Sequence, residues 1–499
     1  MSEIISFVDN LLNSITMYRL TLYYLIFILS VAFLYCVLGI LPYNPLSILF
    51  SSVFLVGVSF ASNKLFEKLF DIQTNIESLY ITALILACIV SPIKSLSLNN
   101  LTLLLMIAFL AMASKYILNI KRKHIFNPAA LGVFIAGIVF HQYASWWIAT
   151  TPMFPFLLLG ILIIRKIRRF DLVICFFLAS TISIFITYAL RSNFDVLNIV
   201  KNIFVDSPIL FFAFVMLSEP LTTPPTRRTR ISYALLTGIL FAPIHIGAFF
   251  TSPEIALLIG NIFSYIMSPK QKLILTLKEK VQLTPNIYDF VFNSPEKLMF
   301  EAGQYFEWTF GHKNTDTRGN RRYFTISSSP TENEIRIGVK FEQERSSSYK
   351  REMLNMKPGD KIVVGNLAGD FTLPKNQNKK LAFIAGGIGI TPYRSIIKYL
   401  LDSKEKRDIV LLYSEKNKNQ MVYKNIFDQA KALGVKTIYY ETEIKGHITK
   451  EVLKEKIPDY KKRTFYISGS NKVVTSFEKI LSNLGIPYSQ IKTDYFPGY

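Results

Sequence analysis

Cysteine is scarce: the 499 residues hold three, Cys36, Cys88 and Cys175, each inside an apolar stretch. Thiols so far apart make neither a disulfide framework nor a close cluster for an iron–sulfur centre, so they read as small packing residues. Histidine is nearly as rare, at five, and only His124, His141 and His245 lie in or beside apolar runs. Two bis-histidine haems need more than that, so no haem pair and no metal site is expected. A basic leader is lacking too, because Glu3 and Asp9 stand where one would lie, and no cleavable signal peptide is expected. Charge itself is missing over long stretches: no Asp, Glu, Lys or Arg falls between Arg19 and Lys64, or between His124 and Arg165.

What fills those stretches is apolar. A hydrophobic fraction of 51% with only 18% charged residues is too oily for a wholly soluble chain. Each uncharged run has room for two helices of ~20 residues, the length that spans a hydrocarbon core of ~30 Å. Hydropathy predicts about ten spans, centred near residues 30, 54, 85, 108, 135, 158, 181, 212, 241 and 261. If the amino terminus is inside, the inner loops carry Lys64, Lys68, Lys115, Lys121, Arg122, Lys123, Arg165, Lys166, Arg168, Arg169, Arg227, Arg228 and Arg230. The outer loops carry only Lys94, Arg191 and Lys201. That asymmetry predicts a multi-pass protein of the cytoplasmic membrane with both termini in the cytoplasm. Trp146 and Trp147 fall in an outer loop, where interfacial aromatics are expected. The net charge of +21 then reflects topology and contact with anionic lipid, and nucleic acid is not expected as a partner.

After about Ser268 the texture becomes charged and alternating. Residues 270–376 read as short strands broken by turns, an antiparallel barrel, and residues 378–499 as strand–turn–helix repeats, which imply a parallel sheet. Four places there carry chemistry. Arg322, Tyr323, Phe324 and Thr325 put a guanidinium, aromatic planes and a hydroxyl on one strand, able to hold a pyrophosphate and stack on a flavin. Ser346, Ser347 and Ser348 open a helix and offer donors to a phosphate. Taken alone, the first also fits an ordinary edge strand and the second a plain N-cap. Gly386, Gly387, Gly389, Thr391 and Pro392 form a glycine turn between strand and helix, where amides approach a dinucleotide. Ser468 and Gly469 end another strand on the same side.

In order and spacing, GQY, RRYFTISS, the serine-rich helix start, KPGD, GDF and GGIGITP resemble the ferredoxin–NADP reductase superfamily over about 230 residues. The resemblance implies FAD and NADH or NADPH as cofactors. Arg322 would hold the FAD pyrophosphate, Phe324 would stack on the flavin, Thr325 would contact its N5 edge, and Tyr323 would belong to the same cofactor site. Val339, Lys340 and Ser346 to Ser348 would continue that site. The glycine turn and Gly469 would receive the pyridine nucleotide, and Phe496 or Tyr499 would cover the far flavin face. Thr325, Ser468 and Tyr499 would then flank the reacting atoms. Where many relatives have Cys, this chain has Ser468, so a thiol plays no part in hydride transfer. Glu415 favours a ribose hydroxyl and hence NADH, while Lys416 could welcome a 2′-phosphate.

In the apolar half, three patches interrupt the spans: Thr82 to Pro92, Phe126-Asn127-Pro128-Ala129-Ala130, and Ser218-Glu219-Pro220-Leu221-Thr222-Thr223-Pro224-Pro225. Pro and polar residues at membrane depth are tolerated where backbone is buried in protein or lines a cavity, which makes Glu219 a functional candidate. Residues 75–268 resemble the flavin-carrying membrane proteins of the sodium-translocating NADH:quinone reductase and of the Rnf electron-transport complex. The tetrapeptide that anchors covalent FMN in that family is absent. The resemblance therefore implies a non-covalent flavin or quinone at Asn127, Pro128, Glu219 and Thr222.

Together these readings predict a polytopic α-helical membrane domain (1–268), an FAD-binding β-barrel (270–376) and an NAD(P)-binding α/β domain (378–499). The expected activity is a flavoprotein oxidoreductase moving electrons from NAD(P)H through FAD to a quinone pool or external acceptor, with unknown partner subunits. A transporter or channel regulated by a fused redox module is the alternative.

Overall fold

The computed structural model describes residues 8–9, 11–12, 15–70, 76–120, 123–190, 195–246, 249–267, 273–312, 315–316, 319–341 and 346–496. The chain divides into two compact units, Met1–Gln271 and Lys272–Tyr499.

Among the described residues the amino-terminal unit is mainly helical, with two short antiparallel strand pairs. Its helices are α1 (Met17–Val37), α2 (Pro45–Phe70), α3 (Ile76–Ile89), α4 (Leu98–Ile117), α5 (Pro128–Phe140), α6 (Ile161–Ile167), α7 (Phe170–Leu190), α8 (Val196–Phe204), α9 (Arg227–Phe241) and α10 (Pro253–Met267). Thr16 caps α1, Ser97 caps α4, and Asn127 caps α5 with Pro128 in its first turn, as side-chain acceptors and a donor-free residue should. Among the described residues α1, α2, α4 and α7 are long and apolar enough to cross a membrane. Val196–Phe204 with Ile209–Met216, bent by 46°, would make a fifth. The ten spans read from hydropathy thus reduce to four or five of full length. Hydropathy averages over helix breaks: Pro152 and Pro155 divide the region near 158 into short turns, and the segment near 212 holds a π-helical turn, Phe212–Met216. The outer faces remain apolar, with Leu34, Val53, Ile138, Leu178, Ile182 and Ile186 all exposed.

Trp146 and Trp147 depart from the interfacial expectation. Both are buried; Trp147 Nε1 donates to the Ala87 carbonyl and Trp146 Nε1 to Glu254 Oε1, each at 2.8 Å. The indole N–H groups find partners inside the helical core, so the rings need no headgroup region. Cys36 and Cys88 are buried and Cys175 is half-buried, all as free thiols.

In the second unit, β1 (Leu273–Thr284), β2 (Ile287–Asn293), β3 (Tyr305–Thr309), β4 (Arg321–Thr325), β5 (Ile335–Lys340) and β6 (Lys361–Ala368) form one antiparallel sheet in the order β4-β3-β6-β1-β2-β5. Ser327 N–H donates to the Arg336 carbonyl, bringing the two edges together as a barrel-like lobe around Trp308, Phe290 and Phe292. A helix, α11 (Ser348–Asn355), follows β5. The second lobe is a parallel sheet of β7 (Leu381–Gly386), β8 (Ile409–Glu415), β9 (Val435–Glu441), β10 (Thr464–Ser470) and β11 (Ile491–Phe496), ordered β9-β8-β7-β10-β11. Near-continuous burial of β7, β8 and β10 is what a sheet covered on both faces requires. Helices α12 (Thr391–Ser403) and α13 (Asn471–Asn483) follow β7 and β10.

The lobes of this unit are pinned together by buried polar groups. Arg394 on α12 holds Glu332 with both terminal nitrogens, at 2.7 and 3.0 Å, and donates to the Ser327 carbonyl at 2.7 Å. Tyr423 Oη donates to Asp289 Oδ1 at 2.8 Å. Burial holds the Asp289 carboxyl above its usual range, against the pull of that phenol.

Candidate functional site

The parallel sheet changes direction between β7 and β10: β8 and β9 are laid down on one side, β11 on the other. Ligands of such sheets sit at the carboxyl ends of strands at that switch point. Gly386 ends β7, Gly387 to Ile390 form a 3₁₀ turn, and Ser468 and Gly469 end β10 alongside. A Cβ on Gly389 would lie 2.3 Å from the Ser468 carbonyl oxygen and 2.6 Å from Gly469 Cα, so only glycine lets the two strand ends meet. Gly387 has φ +61°, a left-handed conformation that favours glycine. Thr391 is buried and its hydroxyl closes the turn on the Ile388 carbonyl at 3.1 Å, while Pro392 occupies the first turn of α12. The predicted glycine, threonine and proline positions are thus brought to one place.

The barrel-side residues divide by strand parity. Arg322 and Phe324 share one face of β4, and Arg321, Tyr323 and Thr325 share the other. Arg322 is buried opposite Trp308, its Nη1 donating to the Gly319 and Arg321 carbonyls at 3.1 and 2.7 Å, with the guanidinium 5.0 Å from the Tyr349 ring. Arg321 turns to Glu307 at 3.4 Å, so Arg322 is the arginine aimed inward. Phe324 packs against Tyr349, centroids 6.1 Å apart. Tyr323, by contrast, is exposed and donates to Glu307 Oε2 at 2.9 Å, on the face away from Phe324.

The serines have separate tasks. Ser347 caps α11, accepting from Lys350 N–H at 3.3 Å. Ser348 N–H donates to Asp316 Oδ2 at 2.9 Å, while its hydroxyl accepts from Asp316 N–H and meets His312 Nε2, both at 3.0 Å. Ser346 precedes the cap. Val339 is buried in the barrel core, leaving only its backbone for a ligand. Lys340 reaches across to Glu415, Nζ to Oε1 3.7 Å. Glu415, expected to face a ribose, is buried beside the glycine turn, its Oε1 lying 3.5 Å from where a Gly387 Cβ would stand. Burial raises its carboxyl above the usual range, opposed by Lys340. Phe496 ends β11 opposite Ser470, its side chain outside the described residues, as is all of Tyr499.

One residue was missed. Asp494 on β11 is the register partner of Ser468 and accepts a hydrogen bond from Thr325 Oγ1 at 3.2 Å, so Thr325, Ser468 and Asp494 converge. Burial pushes the Asp494 carboxyl up to about 6, with the Thr325 bond pulling the other way. An acid in the final strand, two residues before Phe496, was the available signal. The folded carboxyl therefore titrates above its ordinary value of 3.8, and ionising it costs stability. Stability should fall as pH rises from about 4 through about 6, by roughly 3 kcal/mol at neutral pH. Asp494→Asn should flatten that pH dependence of the melting temperature of the full chain; a wild-type slope retained in the variant would contradict the assignment. The buried Ser468 hydroxyl has no partner among the described atoms. A buried hydroxyl left so at a strand end fits a site where a ligand supplies the missing contact.

The residues present therefore fit both cofactors: a buried inward guanidinium and an aromatic on the barrel for FAD, and a glycine cradle with an unsatisfied hydroxyl for a pyridine nucleotide.

The predicted residues of the helical unit also meet. Asn127 Nδ2 donates to Glu219 Oε2 at 2.9 Å, and Thr222 Oγ1 to the same oxygen at 3.2 Å. Pro128 opens α5 directly beside them. His124, Tyr233 and Asn261 join the cluster without having been predicted in that role.

Residues 383–479 match the family model for the oxidoreductase NAD-binding domain. The chain is 29% identical over 233 residues to flavohemoprotein A of Dictyostelium discoideum, covering 44% of this chain and 58% of that protein. It is 29% identical over 210 residues to a Bacillus subtilis flavohemoprotein, covering 40% and 51%. The chain thus spans about half the length of the curated relatives it matches. Among solved structures it is similar to a Malassezia yamatoensis flavohemoglobin with bound FAD and heme (TM-score 0.43, 19% identity, 65% of this chain and 95% of that one). It is also similar to a Neisseria gonorrhoeae ferredoxin NADP+ reductase with bound FAD and NADP (TM-score 0.40, 18% identity, 46% and 100%). The carboxyl-terminal unit thus contains a segment that matches an oxidoreductase NAD-binding domain, and it is similar to part of the flavohemoproteins.

Proposed function

We propose that the chain is a membrane flavoprotein oxidoreductase, in which residues 1–268 form the membrane domain, 270–376 the FAD domain and 378–499 the NAD(P) domain. Bound FAD supplies two-electron chemistry between a hydride donor and a downstream acceptor. Arg322 holds its pyrophosphate and Phe324 flanks its ring. Gly386, Gly387 and Gly389 admit the NAD(P)H phosphates, Ser468 takes a contact at the nicotinamide end, and Thr325 with Asp494 holds a proton near the reacting edge. Electrons then pass to a non-covalent flavin or quinone of the membrane domain, and on to a quinone pool or an extracytoplasmic acceptor.

The observation that carries this reading is the union, in one chain, of the oxidoreductase module with a helical unit of long apolar helices that holds a polar cluster centred on Glu219. The basic inner loops favour the cytoplasmic side for the module and both termini. The test is the full chain in lipid vesicles, supplied with NADH or NADPH and a water-insoluble quinone. Quinone reduction that follows NAD(P)H oxidation one for one is expected. Solute flux independent of NAD(P)H, with no acceptor reduced, would instead favour the transporter alternative.

A further inference from the structure

The helical unit buries a polar cluster gathered from four separate stretches of chain. Glu219, three residues past the π-helical turn, is its centre. Its Oε2 accepts from Asn127 Nδ2 and Thr222 Oγ1, at 2.9 and 3.2 Å, and its Oε1 lies 3.8 Å from His124 Nε2. Asn127 N–H donates to Asn261 Oδ1 at 2.8 Å, and Asn261 Nδ2 to Tyr233 Oη at 3.4 Å. Asn127, Thr222, Tyr233 and Asn261 are buried, whereas the Glu219 and His124 side chains keep 20% and 13% of their surface. The cluster therefore has a closed, fixed side and an open edge bearing its carboxylate and imidazole.

The arrangement separates orienting groups from proton-holding ones. The Asn127 amide fixes the carboxylate, the Asn261 amide fixes Asn127 in turn, and neither exchanges a proton at ordinary pH. Donors on both oxygens favour the ionised carboxylate, so a proton passed to Glu219 is held weakly and given up readily; among the described residues no group of three His, Cys, Asp or Glu side chains could hold a metal. The groups facing Glu219 from neighbouring elements are His124 ahead of α5, Lys115 on α4 and Tyr233 on α9, with Arg169 acting on Tyr233. Lys115 is itself engaged, donating to the Ser78 carbonyl and hydroxyl at 3.1 and 3.3 Å. His124, its Nε2 3.8 Å from Glu219 Oε1 at the open edge, is the neighbour placed to restore a proton. A π turn is a local feature often found at functional sites, and here it lies three residues ahead of Glu219.

We propose that Glu219, positioned by Asn127, Thr222 and His124, donates a proton to a lipid-soluble quinone as that quinone is reduced at the helical unit. This rests on the electron-transfer reading above. The overall step balances as NAD(P)H plus a proton plus quinone giving NAD(P)+ plus quinol: two electrons leave the nucleotide, the hydride's proton is released to water as the flavin reoxidises, both quinone carbonyls become hydroxyls, and one hydroxyl proton comes from Glu219 and the other from water. The carboxylate regains it through His124 from water at the open edge. An acceptor that takes electrons alone needs no such group, so the pair points to a quinone.

The experiment uses the full chain in vesicles with menadione, and with ferricyanide, which takes no proton, as the reference acceptor for the reductase module. Glu219→Gln should lower NADH:menadione turnover about 10²-fold, the scale of a lost proton donor, with FAD content retained. Glu219→Asp should restore part of the rate, and His124→Asn should shift the pH profile. Redox-induced infrared difference spectra should show a carboxyl C=O band in the wild type that Glu219→Gln removes; a purely structural carboxylate gives no such band. Glu219→Gln with menadione turnover within twofold of wild type, or with the band unchanged, overturns the proton-donor role. Wild-type protein that reduces ferricyanide and never menadione overturns the quinone reading itself.

Discussion

Arg322→Ala should release FAD. The Arg322 guanidinium is buried, turned into the barrel, and held at its Nη1 by the Gly319 and Arg321 carbonyls over the Tyr349 ring. A guanidinium so fixed can address a pyrophosphate with two charge-assisted donors. Losing both at ~1.5–3 kcal/mol each weakens binding by at least roughly 10²-fold. Arg321→Ala should change FAD affinity far less, because that side chain turns to Glu307 on the opposite face of β4, away from Arg322 and Phe324. Flavin titration of the apo full chain measures both. Equal losses from the two substitutions, or none from Arg322→Ala, would mean that the pyrophosphate lies elsewhere.

Gly389→Ala should uncouple NAD(P)H from FAD. The new Cβ would stand 2.3 Å from the Ser468 carbonyl oxygen, a backbone atom that has no rotamer by which to yield. Forcing the ends of β7 and β10 apart costs ~1–3 kcal/mol as overpacking. The larger effect is on alignment: a displacement near 1 Å at the cradle costs roughly 10²-fold in rate. FAD content should be unchanged, since the barrel residues Arg322 and Phe324 lie outside that contact. Stopped-flow reduction of the bound flavin by NADH reads the effect. Wild-type kinetics in Gly389→Ala would mean that the glycine turn is no part of the nucleotide site.

What the sequence disclosed and what it hid follow from range. The glycine turn is local, because strand, turn and helix start lie within a dozen residues, and the structure assembles them as read. The RRYFT strand was legible as a strand, yet two adjacent arginines leave the inward one undetermined until the register opposite Trp308 is known. Tyr323, named with Phe324 as part of the cofactor site, lands on the opposite face because strand side chains alternate. Asp494 was invisible as a partner: it meets Thr325 across 169 residues, and only the parallel register with β10 places it beside Ser468. The helical cluster shows the same divide. Asn127, Glu219 and Thr222 were readable from prolines and polar residues in apolar surroundings, whereas Asn261 and Tyr233 reach Asn127 only through packing of α10 against α9. The span count failed for a different reason, since an averaging window passes over the breaks at Pro152, Pro155 and the π turn.

The central claim is that electrons entering the module at NAD(P)H leave through the helical unit. The most direct measurement is anaerobic stopped-flow of the full chain in lipid vesicles, following flavin absorbance as NADH is added with and without menaquinone in the bilayer. The account predicts rapid bleaching by NADH in both cases, then recovery of oxidised flavin in the quinone-containing vesicles alone, slowed by Glu219→Gln. Flavin that stays bleached in wild-type protein despite quinone in the bilayer would contradict it.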